Sequence, residues 1–564
     1  MQSYIQYRNI GHVLRQQLGT DREKAIRCTD GPPSASPAGS LVAASQAEEA
    51  VASCPVDRVM TTKRHSSELS TMDYAFKGVQ DPDDSALAGN KPEVFIVGWD
   101  CEGDPANPHN FSTARRVIAT LIVAAIAFVV GMASSIDSTV LTQASADFGV
   151  SEVAESLATG IYLIGYSVGA LFAGPFSETL GRNMVYIATL ALFSIFIMGS
   201  ALAPNFAAQL VFRFLAGFFG STPLVCAGGS IADMWDPLEK TYGFPIFAVA
   251  GFGGPVLGPV VGSYIGVGHI GTWRWTEWIS LITAGLVLTL VILFQPETYA
   301  PLILKWKARH LRQITCDARY KAELEVSHTS FWSRMRTALS RPFTMLLEPI
   351  IILMALYLTV LYIVLFTFLD GYTFIFADVY SISPGLANVI FVAMFVGIIL
   401  ASFLVLPLYR LTKKEMAKAM TTGGSHIEPE KRLWFAMLGG SLSIPISLFW
   451  MGWTDFASIS IWSPIIASAM FGYGVICVFL SAYMYIIDSY EVYAASALAF
   501  VTLLRYACAG AMTVVGIPFY KNLGTHKTLT ILACISAVLV PSPYVLYKWG
   551  YLIRQHSRHA ITRK

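Results

Sequence analysis

The sequence predicts an all-α membrane protein of twelve transmembrane helices arranged as two six-helix halves. Three observations carry this. Only 13% of the residues are charged and 54% are hydrophobic, whereas soluble domains carry about 25% charge. Mean hydropathy is +0.54, and the apolar residues gather into runs of the ~20 residues that a spanning helix needs. Six runs precede one long charged segment and six follow it.

Residues 1–112 are expected to form a disordered cytosolic tail. Most of this stretch is rich in Ser, Ala, Pro and charge, with no long apolar segment to bury. Its first thirty residues lack the apolar core of a secretory signal. The prolines in Asp104-Pro105-Ala106-Asn107-Pro108 oppose helix, and Ser112 is placed to cap the first span.

The first half covers 113–296, with spans near 116–138, 154–174, 184–203, 207–230, 241–265 and 276–296. A charged central loop, 297–348, follows. The second half covers 349–548, with spans near 349–369, 386–409, 433–453, 459–484, 494–517 and 528–548, and 549–564 is a basic tail.

Basic residues set the expected orientation. The central loop holds Lys305, Lys307, Arg309, Arg312, Arg319, Lys321, Arg334, Arg336 and Arg341, and the 8–9 connection and C-terminal tail are also basic. The opposite side offers Arg274, Lys521 and Lys527. Both termini and the central loop are therefore expected in the cytosol, which leaves the sequon Asn110-Phe111-Ser112 unused.

A net charge of +2 gives no reason to expect a nucleic-acid partner. Eight scattered cysteines, without CxxC pairs, argue against a zinc site or disulfide framework. No nucleophile elbow, paired histidines or phosphate-cradling loop stands in a plausible context, so an enzyme is not expected.

Between spans 2 and 3 lies the tight turn Gly174-Pro175-Phe176-Ser177-Glu178-Thr179-Leu180-Gly181-Arg182. Glu178 and Arg182 could latch the cytosolic ends of neighbouring helices; the plainer reading is a surface turn whose weak ion pair is worth about 0–1 kcal/mol. Arg213 in span 4 is a different matter. A charge inside a span costs about 2.5–3.5 kcal/mol, so it should face the interior and find a partner. Asp137, near the same outer end of span 1, is the candidate. Such a pair can exchange a proton when it is disturbed. The alternative leaves Asp137 among headgroups and Arg213 on backbone carbonyls.

Gly254, Gly258 and Gly262 in span 5 recur every four residues and make a side-chain-free stripe, with a kink expected at Pro259. This stripe is expected to be the flexing contact between the two halves. Tyr162, Tyr166, Tyr357, Tyr362, Tyr473 and Arg505 could line an amphipathic cavity, or the tyrosines could simply pack between helices. Arg505, in span 11, needs an interior partner, with backbone carbonyls as the plain choice.

These stretches resemble the major facilitator superfamily, in particular its fungal twelve-span drug:proton antiporters. Gly174 through Arg182 looks like the family's loop motif, with Phe176 and Asn183 departing from the usual leucine and basic residue. Arg213 with Gly217 and Gly220 resembles the helix 4 motif linked to proton coupling. Gly254-x-x-x-Gly258-Pro259-x-x-Gly262-Ser263 looks like the antiporter motif of helix 5, with Ser263 for a usual glycine and Pro245 where its first glycine would fall. Trp273-Arg274-Trp275, Pro296-Glu297-Thr298, Pro429-Glu430-x-Arg432-Leu433 and Ile487-Asp488-Ser489-Tyr490 extend the likeness over about 97–525.

The resemblance implies two pseudo-symmetric bundles that rock about a midplane site, and a monomeric exporter of amphipathic drugs, toxins or secondary metabolites. Asp137 would carry the proton and Arg213 would modulate it. No cofactor is expected beyond the proton gradient; the partners are a small-molecule substrate, protons and the lipid bilayer. The plasma membrane is preferred over the vacuolar one. Polyamine export, an import facilitator and a non-transporting nutrient receptor remain the alternatives.

Overall fold

A chain crossing hydrocarbon must satisfy every backbone N–H and C=O internally, so each apolar run closes into a helix. The computed structural model describes residues 1–29, 94–267, 272–326, 331–421, 428–490 and 493–560. Among these, twelve helices are long and apolar enough to span a membrane. The first six are Thr113–Thr139, Glu152–Leu180, Arg182–Ala201, Phe206–Met234, Lys240–Ile265 and Trp275–Phe294. The last six are Pro349–Ala377, Gly385–Lys418, Pro429–Thr454, Trp462–Tyr490, Ala494–Leu523 and Thr525–Gln555. All twelve overlap the predicted runs; spans 8 and 12 continue well past theirs.

Local chemistry sets the ends. The side chains of Ser151 and Asn205 accept from the Ala154 and Ala208 amides, capping spans 2 and 4. Gly181, at φ +91°, makes the sharp break between spans 2 and 3, in a region that disfavours other residues. Span 5 runs as one helix through Pro245, Pro255 and Pro259.

The two halves repeat their packing. Spans 1 and 5, 2 and 4, and 3 and 6 pair in the first half; 7 and 11, 8 and 10, and 9 and 12 pair in the second. Gly217 of span 4 lies flush on the Tyr162 carbonyl of span 2, and Gly472 of span 10 lies likewise on the Met394 carbonyl of span 8. Contacts between the halves repeat too: span 2 meets span 11, and span 5 meets span 8. This is an all-α fold of two pseudo-symmetric six-helix bundles.

The ends of the expected disordered tail require a correction. Gln2–Thr29 is a helix, and Ile10 and Leu14 bury against Ile303 and Leu311 of the helix Ala300–Thr315. Tyr7 sits edge-on to Trp306, with ring centroids 5.8 Å apart. Phe95–Ile96 pairs in parallel with Tyr320–Lys321, and buried Lys307 reaches Asp100 at 2.6 Å. Apolar residues spaced along both helices supply a small core of their own, so Met1–Ser112 and Pro296–Ser330 form one unit, separate from the unit that contains all twelve spans. The middle of the expected tail, 30–93, lies outside the described residues.

The basic tail is not wholly solvated either. The last helix runs to Gln555, and Arg554 is buried against Glu430 at 2.8 Å.

Candidate functional site

An arginine in an apolar span must find compensation, and Arg213 finds a cluster. Its side chain is 1% exposed and contacts both Asp137 and Glu277, the latter at 2.6 Å. It also donates to the Ala133 carbonyl at 2.9 Å. Thr276 donates to Asp137 at 2.8 Å, and Ser200 to Glu277 at 2.7 Å. Next to them Gln209 donates to Glu155, itself buried, at 2.9 Å. Two acids, from spans 1 and 6, thus meet one guanidinium, and Glu155 of span 2 lies beside them on Gln209.

The structure brings Asp137 and Arg213 together, and it adds a carbonyl contact to Arg213. Sequence reasoning missed Glu277 and Glu155. Both lie in the first turn of their spans, where acids are ordinarily solvated and favoured by the helix dipole. What could have revealed Glu277 is its place in Arg274-Trp275-Thr276-Glu277-Trp278, where aromatic neighbours would cover it.

The glycine stripe of span 5 faces span 1 of its own half, which corrects the expectation of a contact between halves. A side chain on Gly254 would strike the Phe128 carbonyl, one on Gly258 the Met132 carbonyl, and one on Gly262 the Ile136 carbonyl. The reason is curvature at short range: bare backbone lets span 5 lie against the turn Ile136–Thr139 that ends span 1. The stripe therefore positions the segment carrying Asp137. Pro259 lies within that helix.

At the 2–3 turn, Arg182 ties neighbouring helices together and Glu178 does not. Arg182 reaches Asp233, at the end of span 4, with 3.3 Å between Nε and Oδ2, and also donates to Ser177, whereas Glu178 is exposed. Gly174 makes only ordinary contact with Val225, and Gly181 supplies the turn. The span 4 terminus offered this better-buried acid, which pairing along the turn itself had overlooked.

Contacts between the halves stand at both ends. At the end where spans 4–5 and 8–9 connect, Arg432 donates to the Thr241 hydroxyl at 2.8 Å and the Pro237 carbonyl at 2.7 Å. It is held from its own half by Asp488 at 2.6 Å. Toward the other end, Gly160 and Gly510 cross so closely that a Cβ on either would come within 2.6 Å of the other's carbonyl oxygen. Lys521 meets Glu152 there at 3.2 Å, an exposed pair worth little.

Between these contacts lies a narrow cavity, lined from spans 1, 2, 5, 7 and 11. Tyr166 and Tyr362 line it as expected, joined by Phe252, Phe366 and Tyr506, which the sequence reading did not single out. Tyr162 is fully buried and donates to the Val130 carbonyl. Tyr357 lines a smaller crevice inside the second half, and Tyr473 donates to the Leu438 carbonyl. These three are thus corrected to places outside the cavity wall, because helix rotation turned their faces elsewhere.

Arg505 also stands outside the cavity lining, and it rests on rings rather than carbonyls. Its guanidinium lies 4.5 Å from the Tyr362 centroid, 4.9 Å from Tyr506, 5.0 Å from Tyr483 and 5.4 Å from Phe479. Each such contact is worth about 0.5–2 kcal/mol.

Two repeated six-helix bundles around a central cavity define a multi-pass membrane transporter. Residues 123–550 match the model of the Major Facilitator Superfamily. The chain belongs to that superfamily, and its relatives are fungal. It is 50% identical over 470 residues to the MFS-type transporter kojT of Aspergillus flavus, covering 83% of each chain. It is 35% identical to the MFS-type efflux pump MFS2 of Trichophyton rubrum, over 84% of this chain and 78% of that one. With the citrinin biosynthesis cluster MFS transporter mrr1 of Monascus ruber it shares 34% identity, over 84% and 94% respectively. Among solved structures, the proton:xylose symporter XylE of E. coli superposes with a TM-score of 0.55 at 14% identity, covering 78% of this chain and 96% of that one, a likeness of fold.

Proposed function

We propose that the protein is a proton-coupled exporter of amphipathic drugs, toxins or secondary metabolites, working as a monomer by alternating access with no cofactor beyond the proton gradient. The observation that carries this reading is the charge count at Arg213. One guanidinium, 1% exposed, faces Asp137 and Glu277 together. A single positive charge balances one carboxylate; electroneutrality in a buried site calls for a proton on the other. When the halves rock and water reaches the cluster, that proton can leave.

The motif of span 5 and a relative named as an efflux pump support export as the direction. The basic central loop supports cytosolic termini, and the plasma membrane is the preferred location. One charge crossing 100 mV is worth about 2.3 kcal/mol, enough to drive accumulation without further energy.

The test uses the purified full chain in proteoliposomes with an imposed pH difference. Uphill movement of a hydrophobic dye that stops when an ionophore collapses the gradient supports the antiporter. Movement only down the dye's own gradient, unchanged by the ionophore, makes it a facilitator instead.

A further inference from the structure

We propose that Arg505 is the anion-recognising group of the central cavity, and that the transported molecule is an amphipathic organic acid. Such a solute has a flat apolar body bearing one ionised carboxylate, phenolate or enolate. The inference deepens the reading above and rests on the cavity being the transport site.

Arg505 is 0% exposed, and none of its three guanidinium nitrogens makes a well-aligned hydrogen bond among the described residues, where the Tyr483 hydroxyl is the neighbouring polar group. The four rings around it offer their faces, which attract a cation but do not replace acceptor lone pairs. Buried donors of this strength are ordinarily satisfied. Arg213 shows the ordinary solution in the same protein, with two carboxylates and a carbonyl around it. At Arg505 a charged acceptor is missing among the described residues.

The place of the missing acceptor follows from the rings. Tyr362 and Tyr506 lie against Arg505 and also form part of the cavity wall, so the cation stands within 5 Å of two rings of that wall. No acid lines the cavity among the described residues, and Asp370 of span 7 packs instead against Gly516 of span 11. Asp137 and Glu277 are already engaged by Arg213. An anionic solute would therefore meet one uncompensated positive charge in a low-dielectric site, where attraction acts strongly over several ångströms. A polyamine or other cation would meet a like charge, and the surrounding aromatic box is filled by Arg505. Phe252, Phe366 and Tyr166 provide the flat apolar surfaces for the rest of the molecule. A guanidinium also matches a carboxylate in bidentate fashion once a tyrosine ring swings aside.

The experiment measures equilibrium binding of three probes on one skeleton to the purified full chain in lipid nanodiscs: 2-naphthoate, 2-naphthamide and 2-naphthylmethylammonium. The expected result is carboxylate binding about 10-fold or more tighter than the amide, the size of a charge-assisted hydrogen bond, with the ammonium weakest. Arg505→Gln should bring the carboxylate-to-amide ratio to about 1, and Arg505→Lys should restore part of it. Equal or tighter binding of the amide or ammonium, binding of none of the three, or an unchanged ratio in Arg505→Gln would overturn the proposal. If Arg505→Gln does not fold, the wild-type ratios decide alone. No gradient is present, so proton coupling can fail in proteoliposomes while this preference stands.

Discussion

Glu277 and Arg213 lie 2.6 Å apart with exposures of 0% and 1%, and Asp137 touches the same guanidinium from another helix. Two carboxylates thus share one buried base. The sequence pointed to only one of the two acids.

Removing the base and removing one acid should differ in kind. Arg213→Ala leaves two buried carboxylates unpaired and is expected to cost about 3–5 kcal/mol, seen as a lower Tm or loss of folded protein in detergent. Asp137→Asn keeps the Arg213–Glu277 pair, so folding should survive. Gradient-driven export by Asp137→Asn should fall to the rate measured without a gradient, and dye efflux from proteoliposomes checks this.

The span 1–span 5 contact gives a second test. Gly258→Val drives its side chain into Ser135 and the Met132 carbonyl, an overpacking worth about 1–3 kcal/mol. Gly285→Ala, in the helix of span 6 with nothing within 4 Å of its added Cβ, should leave stability unchanged or raise it by up to about 1 kcal/mol. Thermal unfolding of both variants reads the contrast. Equal Tm values would place the stripe elsewhere.

Arg432 ties the second half to Thr241 and Pro237 of the first. Charge-assisted bonds of this kind contribute about 1.5–3 kcal/mol each, so Arg432→Ala should favour opening at that end. A Ser134→Cys probe on the cavity wall, with the other cysteines replaced, should then react several-fold faster with an impermeant thiol reagent from that side. Arg432→Lys should lie in between.

Asp455, in the connection between spans 9 and 10, is 1% exposed, and burial pushes its carboxyl up to about 6, partly offset by the Thr525 hydroxyl and His526. A raised folded-state value means the folded protein binds this proton more readily than the unfolded chain. The resulting stability is full below the ordinary carboxylate value near 3.8 and is lost as pH rises through about 6. Wild-type Tm should therefore fall between pH 5 and pH 7.5, by an amount corresponding to about 1 kcal/mol. Asp455→Asn should show a flatter profile.

The sequence by itself determined the number of spans, their six-plus-six order and the need for Arg213 to have a partner. Those follow from hydrophobic length and the cost of buried charge, which act on each helix separately. Only the tertiary structure decided what each helix face meets. It turned the stripe of Gly254, Gly258 and Gly262 onto span 1 rather than the other half, and aimed Arg182 at Asp233 rather than leaving it with its own turn. It also brought Glu277 to Arg213 from 64 residues away and stacked Arg505 on rings from spans 7, 10 and 11. Rotation of a helix about its axis costs little in apolar surroundings, where every face is hydrophobic. The choice among faces is made by close packing against neighbours that lie far off in sequence.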